Sequence, residues 1–186
     1  MSFLRIWKIS FVGIVLFASC KENKPETIVV EKPDQDITMD ESIELSQQWT
    51  KDEKFKIEQF IKRKGLEMET SPTGIRYFIY KENNPKGKYA KPGMVAKISY
   101  EIKLLDTDET LCYEADSLNP EYFLIEMDNV ESGLHEAITY MKEGDQALII
   151  LPHYLAHGLT GNSDKIPPLS TIQYNIKLIE LGEKQS

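Results

Sequence analysis

Two cysteines and three histidines are the side chains of this 186-residue chain best suited to nucleophilic or metal chemistry. His153 and His157 stand four apart, the spacing of a metal pair on a helix, but they lie in a run bounded by Pro152 and Gly158. No cysteine or acid stands at ligand spacing beside them, so they and His135 read as structural or surface histidines rather than metal ligands. Cys112 has no histidine close in sequence, and a lone cysteine is usually a small buried hydrophobe. Neither a Gly-rich phosphate loop nor a Gly-x-Ser-x-Gly elbow occurs. A formal charge of −8 disfavours nucleic acid as a partner, because no basic patch is there to neutralise phosphates. What remains is a set of aromatic and aliphatic residues next to a long loop carrying Pro152, Gly158, Gly161, Pro167 and Pro168. Long structured loops are usually functional. That composition suits an apolar pocket for peptide, and neither a metal nor a cofactor is expected.

Cys20 points to different chemistry. Arg5 and Lys8 precede an uncharged apolar run from Ile9 to Ala18, which is short against the roughly 20 residues of a membrane span. That is the charge pattern of a secretory signal. Its end, Leu16-Phe17-Ala18-Ser19-Cys20, resembles the bacterial lipobox, so Cys20 is the expected lipidation site; the alternative is an uncleaved anchor with a chance cysteine. With Cys20 acylated, Cys112 has no partner within the chain and the fold must stand on its core.

The elements that must position the pocket follow from periodicity. Lys21 to Asp36 is charged and poor in apolar residues, which predicts a flexible tether. Thr38-x-x-Glu41 and Thr50-x-x-Glu53 both match the capping box, so one helix or two lie between Thr38 and Lys64, with Gly65 as the stop. Its apolar face, Ile57, Phe60 and Ile61, is expected to pack on the following domain; a dimerisation or partner helix is the alternative. Strands are predicted over Ile75–Lys81, over Ala96–Leu104 with strict alternation, over Tyr122–Met127, over the apolar run Ala147–Leu151, and over Ile172–Leu178. A short helix begins near Ser132, with Leu134, Ala137, Ile138 and Met141 on one face. The class is α+β with a mostly antiparallel sheet. The expected divisions are a signal over 1–20, a tether over 21–37, a helical extension over 38–73 and the main domain over 74–182.

These residues stand in a familiar order. Lys91-Pro92-Gly93 precedes a strand reaching Ser99-Tyr100. Val130-Glu131-Ser132-Gly133-Leu134-x-x-Ala137-Ile138 opens the helix, and Lys142-Glu143-Gly144-Asp145 follows it. Leu151-Pro152, Ala156-His157-Gly158, Thr160-Gly161, Ile166-Pro167-Pro168 and Ser170-Thr171-Ile172 complete the series. From Lys91 to Leu181 the chain resembles the FKBP family of peptidyl-prolyl cis–trans isomerases. Lipobox, tether, helix and the stretch from Val130 to Ala137 together resemble the gliding-motility-associated isomerase lipoproteins of Bacteroidetes.

The resemblance implies an antiparallel sheet wrapped around one short helix, here with an N-terminal helical extension, and a pocket between sheet and helix. It implies catalytic roles for Tyr100, His157 and Tyr174. It places Cys112, Tyr113, Val130, Glu131, Leu134 and Ile166 against substrate. The chain departs from the family pattern in several of these. Tyr113 replaces an acid, Leu134 a larger tryptophan floor, Glu131 an aliphatic residue, and His157 a tyrosine whose hydroxyl donates to the substrate carbonyl. The implied function is isomerisation of Xaa-Pro bonds in exported or envelope proteins, in a bacterial envelope protein held to the membrane through Cys20. The rival is a non-catalytic chaperone or assembly module of the same fold.

Overall fold

The computed structural model describes residues 38–183, so Cys20, the signal and the whole tether lie outside the described residues. Helix α1 runs from Met39 to Lys64 as one helix. Only the first capping box forms: Thr38 N–H donates to Glu41 Oε2 at 2.9 Å, and Glu41 N–H to Thr38 Oγ1 at 3.3 Å. At the second, Thr50 Oγ1 donates instead to the Ser46 carbonyl at 2.9 Å, a bond that lets the helix continue. Gly65 ends the helix at φ +63, the left-handed conformation glycine adopts without strain.

After α1 come β1 (Glu69–Thr70), β2 (Arg76–Lys81), β3 (Met94–Leu104), β4 (Leu111–Ala115), β5 (Glu121–Leu124), α2 (Ser132–Ile138), β6 (Gln146–Leu151), a 3-10 turn (His153–Leu155) and β7 (Ile172–Glu183). The strands form one antiparallel sheet in the order β1-β2-β6-β7-β3-β4, with β5 also paired to β3. β3 lies along β7 for its whole length, from Met94 opposite Glu183 to Leu104 opposite Ile172. Its other edge is shared: β5 pairs with Val95–Ile98, and β4 with Tyr100–Lys103.

The sheet's inner face closes on α2. Ala96, Ile98, Ile102, Ala147, Ile149, Ile172, Tyr174, Ile176 and Leu178 pack there with Leu134, Ala137 and Ile138 of the helix. Alternation along β7 breaks where the pairing jumps from Ile98–Leu178 to Lys97–Glu180. Ile179 is the extra residue of a bulge, so the next buried position is Leu181 rather than Glu180. The expected strand end at Leu178 is therefore a change of phase, and β7 continues to Glu183.

The continuous apolar run in β6 has a different cause. Ile149 faces α2 and Ile150 faces Ile57 and Phe60 of α1, so this strand is covered on both faces. Residues 39–52 of α1 are exposed, and only its last turns lie on the sheet. Residues from Thr38 onward form one compact unit. The predicted strand over Tyr122–Met127 stops at Leu124, because Glu126 takes a left-handed φ of 64 and turns the chain toward α2.

Candidate active site

A cavity of about 400 Å³ opens between the inner face of the sheet and the N-terminal end of α2. Each wall follows from local geometry. Ile98, Tyr100 and Ile102 are alternate residues of β3 and share one face. Register puts Ile102 opposite Tyr174 and Tyr100 opposite Ile176, so the two tyrosines are diagonal neighbours. Their rings lie 5.8 Å apart at 60°. Leu134 from α2 also lines the cavity, and Val130, Glu131, Tyr113, Glu121, Asn129, Ala156, His157 and Asn162 come from surrounding segments.

Most of the implied site residues thus meet at one place: Tyr100, Tyr113, Val130, Glu131, Leu134, His157 and Tyr174 all line the cavity. Cys112 and Ile166 do not; each is 2 % exposed and belongs to the core. The reason for Cys112 is a bulge. Ile102 pairs with Tyr113 and Lys103 with Leu111, which leaves Cys112 as the unpaired extra residue. Its thiol points to the Thr110 and Lys165 carbonyls at 3.7 and 3.6 Å, under the long loop, and burial pushes its pKa up. Ile166 is drawn inward by its own backbone, whose N–H donates to Asn162 Oδ1 at 2.9 Å.

The polar side of the cavity is organised by carboxylates. Tyr174 donates its hydroxyl to Glu131 Oε2 at 2.9 Å, and His157 Nε2 lies 2.8 Å from Glu131 Oε1. Burial, and then the Glu131 charge, hold the Tyr174 phenol well above its ordinary pKa. Tyr100 is raised as well, first by burial and then by the Glu121 carboxylate beside its hydroxyl. Tyr113 donates to Asp164 Oδ2 at 2.7 Å and accepts from Asn162 Nδ2 at 2.7 Å. The bond to Asp164 is the main cause of its raised pKa. A carboxylate therefore stands at the tip of the Tyr113 side chain. Asn162, Asp164 and Glu121 were not singled out from sequence. Asn162-Ser163-Asp164 is a turn-forming run, and that was the only local signal for the first two.

The other two histidines have other work. His135 Nδ1 accepts from the Glu126 N–H at 2.9 Å and its Nε2 lies 2.9 Å from the Asp128 carbonyl, which pins the chain between β5 and α2. His153 binds Glu53 of α1: the His153 backbone N–H and Nδ1 each lie 2.7 Å from that carboxylate.

Comparison with known proteins agrees with this geometry. The profile of the FKBP-type peptidyl-prolyl cis-trans isomerase family matches residues 86–179. The probable FKBP-type peptidyl-prolyl cis-trans isomerase FkpA of Neisseria meningitidis serogroup B is 27% identical over 135 residues, covering 72% of this chain and 48% of that protein. The peptidyl-prolyl cis-trans isomerase Mip of Chlamydia trachomatis is 27% identical over 122 residues, covering 66% of this chain and 47% of its own. The chain thus spans about half the length of the curated relatives it matches. The crystal structure of FkpA from Escherichia coli superposes with a TM-score of 0.62 at 22% identity, over 78% of this chain and 66% of that one, and shows the same fold. With the family profile matched across β3 to β7 and an antiparallel sheet folded over one short helix beside an aromatic-walled cavity, the chain belongs to the FKBP-type peptidyl-prolyl cis-trans isomerase family.

Proposed function

We propose that the chain is a peptidyl-prolyl cis–trans isomerase acting on Xaa-Pro bonds of client proteins. The observation that carries this is the cavity itself, walled by the Tyr100 and Tyr174 rings with Leu134 behind them. Rotation about a peptide bond has a barrier of about 18–20 kcal/mol, and uncatalysed X–Pro exchange takes tens to hundreds of seconds. No nucleophile is needed to lower it. In the twisted transition state the amide loses resonance, and a partly dry apolar wall binds that form better than the planar one. Tyr100, Val130, Leu134 and Tyr174 supply the wall, and His157 supplies a hydrogen bond to the displaced carbonyl.

Exchange rates on Xaa-Pro peptides, with and without the protein, test the reading. Acceleration is expected, and Tyr174→Ala should lose most of it. A protein that leaves every peptide at its spontaneous rate, yet suppresses aggregation of an unfolded client, is a chaperone module instead. One observation favours that second reading: Glu131 already occupies the Nε2 edge of His157.

The proposal extends to location. Ser19-Cys20 at the end of a short apolar run supports a lipid anchor on an exported protein with clients among envelope proteins, and the resemblance of the whole plan to gliding-motility-associated isomerase lipoproteins adds the proteins of such a machinery. Fatty-acid labelling of the full chain should mark the wild type and spare Cys20→Ala. Equal labelling of both removes the anchor.

A further inference from the structure

Glu131 stands just before α2 with its side chain 11% exposed, and its two carboxylate oxygens meet His157 and Tyr174 in the cavity. We infer that Glu131 is a positioning residue: it fixes the tautomer of His157, so that His157 can donate to a substrate carbonyl only as imidazolium. The inference rests on the isomerase reading and deepens it.

The argument is one of donors and acceptors. An ionised carboxylate only accepts hydrogen bonds. Glu131 Oε1, 2.8 Å from His157 Nε2, therefore requires the ring proton on Nε2. Glu131 Oε2 is held by the Tyr174 hydroxyl at 2.9 Å, so the carboxylate cannot swing away without breaking a second bond. In the neutral ring Nδ1 is then bare and is an acceptor. It cannot bind a carbonyl oxygen, which is an acceptor too. Only the imidazolium carries N–H on both nitrogens, one committed to Glu131 and one free for the client. An aliphatic residue at position 131 would impose no such choice.

The titratable groups that line the cavity with His157 are Glu131 before α2, Tyr174 on β7, Tyr100 on β3, Tyr113 on β4, and Glu121 and Tyr122 on β5. Asp164 lies at the Tyr113 hydroxyl, and the Lys165 ammonium lies 5.0 Å from the Tyr113 ring centre.

The test is the isomerase rate of the intact protein as a function of pH, with the His157 protonation state followed by nitrogen NMR of the same sample. Wild type should slow by about three- to tenfold as His157 loses its proton, the worth of one hydrogen bond. The neutral ring should be the Nε2–H tautomer. Glu131→Gln keeps the shape and can donate to Nε2, which lets the neutral ring carry its proton on Nδ1, so the alkaline decline should flatten. His157→Phe should have no decline and should match the slow alkaline limb. An active wild type with a flat profile overturns the inference, as does a neutral ring protonated on Nδ1 or a Glu131→Gln profile identical to wild type. No acceleration by wild type at any pH overturns the isomerase reading, and this inference with it.

Discussion

Replacing Glu53 by alanine should unfasten α1 from the domain. Glu53 is 8% exposed and accepts three hydrogen bonds: from the His153 N–H at 2.7 Å, from His153 Nδ1 at 2.7 Å and from Thr171 Oγ1 at 2.6 Å. A hydrogen bond to a charged group is worth about 1.5–3 kcal/mol, and a buried donor left unsatisfied costs about 1–3 kcal/mol. Water reaches part of the site through the cleft lined by Thr50, Glu53 and Tyr154, which lowers the figure. We expect a loss of about 3 kcal/mol, or roughly 6–12 °C in melting temperature for a domain of this size. Alanine is the better helix former, so the local effect on α1 has the opposite sign and cannot produce the loss. Glu53→Gln, which keeps one acceptor oxygen, should cost less. Glu180→Ala is the control: its carboxylate is 63% exposed and 3.6 Å from Lys97, and a surface pair of that kind is worth about 0–1 kcal/mol. Urea unfolding of the three variants decides the matter. A Glu53→Ala protein within about 1 kcal/mol of wild type, in line with the control, refutes the clamp.

Gly133→Ala should destabilise by about 1–3 kcal/mol although alanine favours helix, since its methyl group would meet Leu151 Cδ2 at 2.7 Å and the Leu155 carbonyl at 2.8 Å; urea unfolding measures the sign. Tyr174 and Tyr100 are held protonated by the fold, so the native state binds more protons than the unfolded chain above the ordinary phenol value. Stability is then full below pH of about 10 and falls as pH rises beyond it, with both phenols ionising only as the protein unfolds, as ultraviolet absorbance will report. Cys112, buried and with a raised pKa, should react with thiol reagents in a Cys20→Ala protein only at the rate of opening, and fast labelling under native conditions would contradict its place under the loop.

Much of the fold could be read from alternation because most strands have one face on the core. β3 and the first half of β7 are plain cases. What escaped reading was whatever depended on an irregularity or on a distant partner. β4 carries no readable alternation: Leu111 is 46% exposed, and the bulge at Cys112 breaks the period within five residues. The second capping box left one helix or two open because Thr50-x-x-Glu53 is locally the same signal as Thr38-x-x-Glu41, while Glu53 is spent on His153 and Thr171, 100 and 118 residues away. In the site, the aromatic wall was legible and the polar chemistry was not. Glu131, His157 and Tyr174 meet through three separate segments, and no spacing along the chain announces that a carboxylate will sit between a histidine and a tyrosine.

The loop from Pro152 to Pro168 is where the two kinds of information join. It has few apolar side chains to hold it, and Ile166 is its main core anchor. Its other restraints are polar and come from elements on different sides. His153 is held by α1 through Glu53, His157 by Glu131 before α2, and Asn162 and Asp164 by Tyr113 on β4. The Lys165 carbonyl rests on the Cys112 thiol, and the Leu169 N–H closes the loop on the Gly158 carbonyl at 3.0 Å. In the proposed isomerase, a donor at His157 must stay within a fraction of an ångström of a moving carbonyl to be useful. Each of these bonds is worth only about 0.5–3 kcal/mol, but together they fix the loop along its length without filling the cavity. The same bonds set two carboxylates where the loop meets the cavity, Asp164 at the Tyr113 hydroxyl and Glu131 at His157 Nε2.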